Sequence, residues 1–155
     1  MNYKVRFDGN SKDVAMAMQA MQAFNSIFPV PEEIGIYKMV PISEDFFYYL
    51  LSRKGIVSEE QGRKSLERFN KETASMNGSL VSCYKTFARN MLDCYEKFGA
   101  CTRESWRQQH WGVSEQPRSE IVGNGILRLF CDDTFPQVML DAICELYGVT
   151  AHVNE

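Results

Sequence analysis

The residues best suited to chemistry in this chain of 155 residues are its five cysteines, two histidines and two tryptophans. Cys83, Cys94, Cys101, Cys131 and Cys144 form no CxxC pair, zinc-ribbon spacing or haem motif, the arrangements that thiolate ligation requires. Their odd number and scatter predict reduced, mostly buried thiols that act as small hydrophobes. His110 and His152 stand neither three nor four residues from each other or from a cysteine, so no metal site is expected. Pairing Cys94 or Cys101 with His110 as nucleophile and base leaves no orienting acid, and the sequence offers no Gly-rich phosphate loop or nucleophile elbow. Asp132 and Asp133 precede a helix, where carboxylates serve the helix dipole. The expectation is a protein with no catalytic residues, no metal and no cofactor.

Three other groupings remain as candidate sites. Trp106, Arg107, Trp111 and Gly112 lie within one short run, and the rings are expected to pin a junction at which a helix gives way to a strand from Trp111 to Ser114. A ligand platform on the same rings, with Arg107 beside them, is the alternative. The helix expected between Ser58 and Met76 carries Arg63, Lys64, Glu67, Arg68 and Lys71, either a solvated face or an adaptable surface for a protein partner. Lys4 and Arg6 alternate with apolar neighbours near the N-terminus and, if the strands pair suitably, join Arg128, Phe130 and His152 on one face of a sheet.

The elements that must position these groups follow from periodicity. Tyr3, Val5 and Phe7 alternate with Lys4 and Arg6, a strand that Gly9-Asn10 ends. Ser11 caps a helix with Val14, Met18 and Met21 along one face. Three prolines between Pro29 and Pro41 make a connector with a short strand at Ile36 to Val40. Ser43 caps a second helix with Phe46, Phe47, Leu50 and Leu51 inward, Ser58 opens a third with a capping box, and Leu80, Tyr84, Phe87, Met91 and Tyr95 mark a fourth that stops at Gly99. Beyond the tryptophans, Gln116-Pro117-Arg118 supplies a turn, and Ile121 to Cys131 reads as one strand bulged at Gly123-Asn124-Gly125. Thr134 to Gln137 forms a capping box for a helix with Met139, Ile143, Leu146 and Tyr147 inward, Gly148 stops it, and Val149, Ala151 and Val153 make the last strand.

This order predicts an α+β fold: a ferredoxin-like βαββαβ antiparallel sheet with a helical insertion between the first helix and the second core strand. A single domain over 1–155 is expected, with its core at 1–40 and 110–155 and the insertion at 43–109. Composition agrees with one soluble domain, at 45% apolar and 24% charged residues. A net charge of −3 is too balanced for binding nucleic acid by bulk charge alone. No apolar run is long enough for a membrane span and the N-terminus lacks a signal-peptide core, so a cytoplasmic protein without membrane contact is expected.

The run Trp106-Arg107-Gln108-Gln109-His110-Trp111-Gly112, preceded by Gly99-Ala100, resembles the "WR..NWG.KW" signature of the ferredoxin-like family of YubB type carried by phages and plasmids. Phe28-Pro29-Val30-Pro31-Glu32-Glu33 is similar to that family's "IPMPEEL" connector, and Phe130 to Pro136 to its "F.TAW.PP" junction. Ser114 and Glu115 stand where the family has Lys-Trp, and His110 where it has Asn. The resemblance implies a mobile-element origin in a bacterium or its virus. Two functional expectations result, the first from that origin and the second, its alternative, from the sheet-face residues Lys4, Arg6, Arg128, Phe130 and His152. One is a non-enzymatic accessory protein that binds a host protein or ribonucleoprotein complex, an anti-CRISPR-like inhibitor of host defence being the example. The other is a nucleic-acid-binding module that uses the open sheet face.

Overall fold

Tyr3, Val5 and Phe7 are buried and Lys4 and Arg6 exposed in strand β1 (Asn2–Asp8), as their alternation requires. A computed structural model describes residues 1–36, 40–132 and 134–155. In it β1 pairs antiparallel with β3 (Ile126–Phe130) on one side and with β4 (Thr150–Asn154) on the other, and β2 (Arg118–Gly123) pairs antiparallel with the far edge of β3. The four-stranded sheet thus has the order β2-β3-β1-β4, and the fold is α+β.

The Cα positions group into two compact units, residues 1–30 with 104–155, and residues 31–103. The sequence reading set the insertion at 43–109. The tryptophan helix sides with the sheet unit because Trp111 packs edge-on against Phe24, ring centroids 5.6 Å apart.

In the sheet unit, helix α1 (Ser11–Gln22) is capped by Asn10, whose side-chain oxygen accepts from the Asp13 N–H at 2.9 Å. Ser11, the expected cap, is the first helical residue; Asn caps as well as Ser. A short turn, α2 (Phe24–Ile27), follows. Helix α6 (Arg103–Trp111) continues through Trp111, and Gly112 breaks it at φ +80, so the segment from Trp111 to Ser114 is a helix end followed by bends and not a strand. Ile121 to Cys131 is a hairpin and not one bulged strand. Its turn is Asn124-Gly125, with Gly125 at φ +71 and a register slip between Ile121 and Gly123; Asn-Gly between β-branched runs is a strong turn signal. Helix α7 (Gln137–Tyr147) has Pro136 at its N-cap with no side-chain cap bond, so the expected capping box does not form. Gln137 instead bonds Asp141 one turn on. Met139, Leu140 and Ile143 are buried, Leu146 is exposed, and Gly148 ends the helix at φ +66. Helices α1 and α7 pack together, and Val5, Met21, Phe24, Leu127, Leu129, Met139 and Ile143 form the unit's core.

The helical unit opens on a 3-10 turn at Glu32–Ile36. Of the strand expected at Ile36 to Val40, residues 37–39 lie outside the described residues. Helix α3 (Pro41–Arg53) begins with Pro41 in its first turn and Val40 as N-cap. Ser43 is not its cap: it is fully buried, and its hydroxyl has no partner among the described residues. Proline at the first helical position starts the helix earlier without needing a side-chain cap. Ser58 does cap α4 (Glu59–Thr73), accepting from the Gln61 N–H. The buried side of α4 is Gly62, Ser65, Phe69 and Thr73, and a Cβ on Gly62 would overlap the Ser52 side chain of α3. Helix α5 (Gly78–Phe98) stops at Gly99, as expected, and is capped by Asn77, whose side chain accepts from the Leu80 N–H. Ala88, Met91, Leu92 and Cys94 are its buried residues, whereas Leu80 and Cys83 are exposed. Phe46 and Phe69 meet with ring centroids 5.0 Å apart.

Candidate nucleic-acid interface

Side chains at alternate positions of adjacent strands share a face, and here the register decides which ones meet. Lys4 lies opposite Arg128, Arg6 opposite Ile126, and Asn2 opposite Phe130. On the other side of β1, Arg6 lies opposite His152 and Lys4 opposite Asn154. Across the hairpin, Phe130 faces Arg118 and Arg128 faces Glu120. Lys4, Arg6, Arg128, Phe130 and His152 therefore occupy one face, the one turned away from Val5, Phe7, Leu127 and Leu129. Leu127 and Leu129 are fully buried, while Ile126, Arg128 and Phe130 are half-buried.

The register adds Arg118, which sequence reasoning had assigned to a turn. Its guanidinium lies 4.7 Å above the Phe130 ring, so the face carries an aromatic ring and a stacked planar cation rather than an isolated Phe. Part of the signal was in the sequence: Asn124-Gly125 marks the hairpin turn, but residue-for-residue counting would set Ser119 beside Phe130, and it is the one-residue slip between Ile121 and Gly123 that brings Arg118 there.

Two carboxylates moderate the positive charge. Arg128 contacts Glu120 at 2.9 Å, Arg6 contacts Asp8 at 3.8 Å, and His152 Nε2 lies 3.2 Å from Asp8. These pairs are solvent-exposed and easily exchanged. Lys4, Arg6, Arg118 and Arg128 still outnumber Asp8 and Glu120, a local reversal of the chain's net charge of −3.

The charges of α4 are arranged differently. Arg63 holds Glu60 at 2.7 Å and Glu67 at 2.6 Å, Lys64 reaches Glu60, and Arg68 bonds Asp45 of α3 at 3.1 Å. The Arg63 guanidinium holds the Glu60 carboxyl below the usual carboxylate range, through its hydrogen bond first and its charge second. Arg63, Lys64, Glu67 and Arg68 are thus engaged within their own unit, and Lys71 is exposed in the last turn.

The tryptophan run is built as scaffold. Trp106 and Trp111 are 8% and 3% exposed. Trp111 Nε1 donates to the Phe28 carbonyl at 3.0 Å, and the His110 ring stacks on Trp106. Arg107 lies 5.5 Å from the Trp111 ring and donates to the Ser114 carbonyl. Gly112 sits against Val138, whose Cγ2 would lie 3.1 Å from any added Cβ. Nearby, Gln116 clips the end of α1, its Oε1 accepting from the Phe24 N–H and its Nε2 donating to the Met21 carbonyl.

Four of the five thiols lie where burial opposes ionisation, the reverse of what nucleophilic chemistry favours. Burial pushes the Cys101 thiol up to about 11, and burial likewise raises Cys94, Cys131 and Cys144. Among the described residues no group of three His, Cys, Asp or Glu side chains is placed to hold a metal ion, and no helix is long and apolar enough to cross a membrane. No protein-family model, curated protein or solved structure matches this chain.

Proposed function

We propose that this protein is a non-enzymatic binding module with a ferredoxin-like sheet unit, and that its open sheet face takes a single strand of nucleic acid. The observation that carries the proposal is the convergence of Lys4, Arg6 and Arg128 around Phe130 and Arg118. A strand laid across β1 and β3 has cations for its phosphates and a ring with a guanidinium plane on which bases stack, the combination that sequence-tolerant single-strand binders use. The sheet order and the packing of α1 on α7 support the split-βαβ reading. A protein partner docked on α4 is the weaker reading, because most of that surface's charges already have partners. With the resemblance to phage- and plasmid-borne proteins, the natural ligand is an RNA held by a host ribonucleoprotein complex, which keeps a role against host defence within the proposal.

Fluorescence anisotropy with labelled single-stranded RNA at rising salt tests it. About three to four phosphate contacts predict a log-log salt slope of roughly −2 to −3 for a single strand. Arg6→Ala with Arg128→Ala should weaken binding at least about tenfold and flatten that slope by roughly 1 to 1.5. No binding at low salt, or binding indifferent to the double substitution, refutes the proposal.

A further inference from the structure

At the end of β3, beside the Arg118–Phe130 stack, a cleft of about 640 Å³ opens, within the size range of small-molecule sites. Val113, Pro117 and Phe130 give it apolar walls, and Ser114, Glu115, Asp132 and Thr134 stand exposed around it. The side-chain amides nearby are already engaged. Gln108 Nε2 donates to the Gly112 carbonyl, and both ends of Gln116 are held by α1 and α2. The groups left to a ligand are the hydroxyls of Ser114 and Thr134, the carboxylates of Glu115 and Asp132 and, on the wall shared with Phe130, the Arg118 guanidinium. We propose that this cleft is a base-selective pocket of the sheet-face site, and that it prefers guanine.

The proposal rests on the nucleic-acid reading of the sheet face and follows from donor and acceptor inventories. An ionised carboxylate only accepts hydrogen bonds, through two oxygens side by side. Guanine presents two adjacent donors on its Watson–Crick edge, N1–H and the N2 amino group. Adenine and cytosine set one donor next to a ring acceptor, and uracil sets one N–H between two carbonyls. Only guanine meets Asp132 or Glu115 with two parallel bonds, while the other bases turn a lone pair toward the carboxylate. The same carboxylates repel phosphate, so the backbone stays over Lys4, Arg6 and Arg128 and the base alone enters, stacking on the Arg118–Phe130 pair.

The test compares decauridine with decauridine carrying one central guanosine, adenosine or cytidine, by anisotropy at low salt. The guanosine strand is expected to bind about tenfold more tightly than the other three, as one good bidentate contact allows. The double substitution Glu115→Gln with Asp132→Asn, both at exposed positions, should bring the four strands to parity while leaving decauridine affinity unweakened, because an amide offers one donor and one acceptor and so pairs with the edge of any base, uracil included. Equal affinities in the wild-type protein overturn the pocket and leave the sheet-face reading standing, as does a guanosine preference that survives the double substitution. Failure of every strand to bind overturns both.

Discussion

Truncating Trp111 separates scaffold from binding surface. Its ring is 3% exposed, meets Phe24 and Trp106 edge-on with centroids 5.6 and 6.3 Å away, and donates its N–H to the Phe28 carbonyl at 3.0 Å. Trp111→Ala removes all of these contacts and leaves a cavity bordered by Phe24, itself fully buried. Truncations of this kind cost about 3–5 kcal/mol, a large share of a total of roughly 5–15 kcal/mol. For a chain of this size each kcal/mol moves Tm by about 2–4 °C, so a fall of roughly 6–20 °C is expected in a thermal melt followed by far-UV circular dichroism. Trp111→Phe keeps most of the ring but orphans the Phe28 carbonyl, and should cost only about 1–2 kcal/mol. RNA affinity measured well below the melt should be unchanged in both. A Trp111→Ala protein that melts like the wild type but has lost its ligand would refute the scaffold assignment and make the ring a contact residue.

Gly62→Ala should destabilise the helical unit by about 1–3 kcal/mol through overpacking against Ser52, the opposite sign to the usual gain of Ala over Gly in a helix; adding Ser52→Gly should recover much of the loss in urea denaturation. High pH should weaken the fold through Cys101. Its thiol pKa is raised from 9.0 to about 11 in the folded chain, so its contribution is fully present below about pH 9 and is lost as the pH rises to about 11, up to ~2–3 kcal/mol. Stability measured between pH 8 and 11 should therefore fall less steeply in Cys101→Ala than in the wild type. Replacing Arg63, Lys64, Arg68 and Lys71 together by Ala should leave RNA affinity essentially unchanged, while loss of binding would move the site to α4.

The sequence was most legible where one physical signal acted alone. The period-two alternation of β1 and the Gly99 end of α5 each had a single structural solution, and α1 follows its apolar spacing, whereas α7 buries Met139 and Ile143 but leaves Leu146 exposed. Capping was less legible because polar residues compete for the same role: Asn10 displaces Ser11, and Pro41 makes a cap at Ser43 unnecessary. The buried face of α4 was not legible from apolar spacing, because Gly62, Ser65 and Thr73 form it beside Phe69 and let two helices approach closely. At the site, Lys4 and Arg6 could be assigned to a face from alternation, but their neighbours depend on strand register, which between β2 and β3 is set jointly by the hairpin turn and the slip beside it. Arg118 was missed for that reason. Placing it requires both the hairpin turn at Asn124-Gly125 and the slip between Ile121 and Gly123, where the sequence suggests a bulge within one strand.

The most direct measurement of the central claim is amide chemical-shift mapping of the ¹⁵N-labelled full chain on titration with single-stranded RNA. The account predicts that the perturbed amides cluster on β1 and β3, around Lys4, Arg6, Arg128 and Phe130, and extend to Arg118 on β2, with α4 silent. Perturbations centred on α4, or a spectrum unmoved by saturating RNA at low salt, would contradict it.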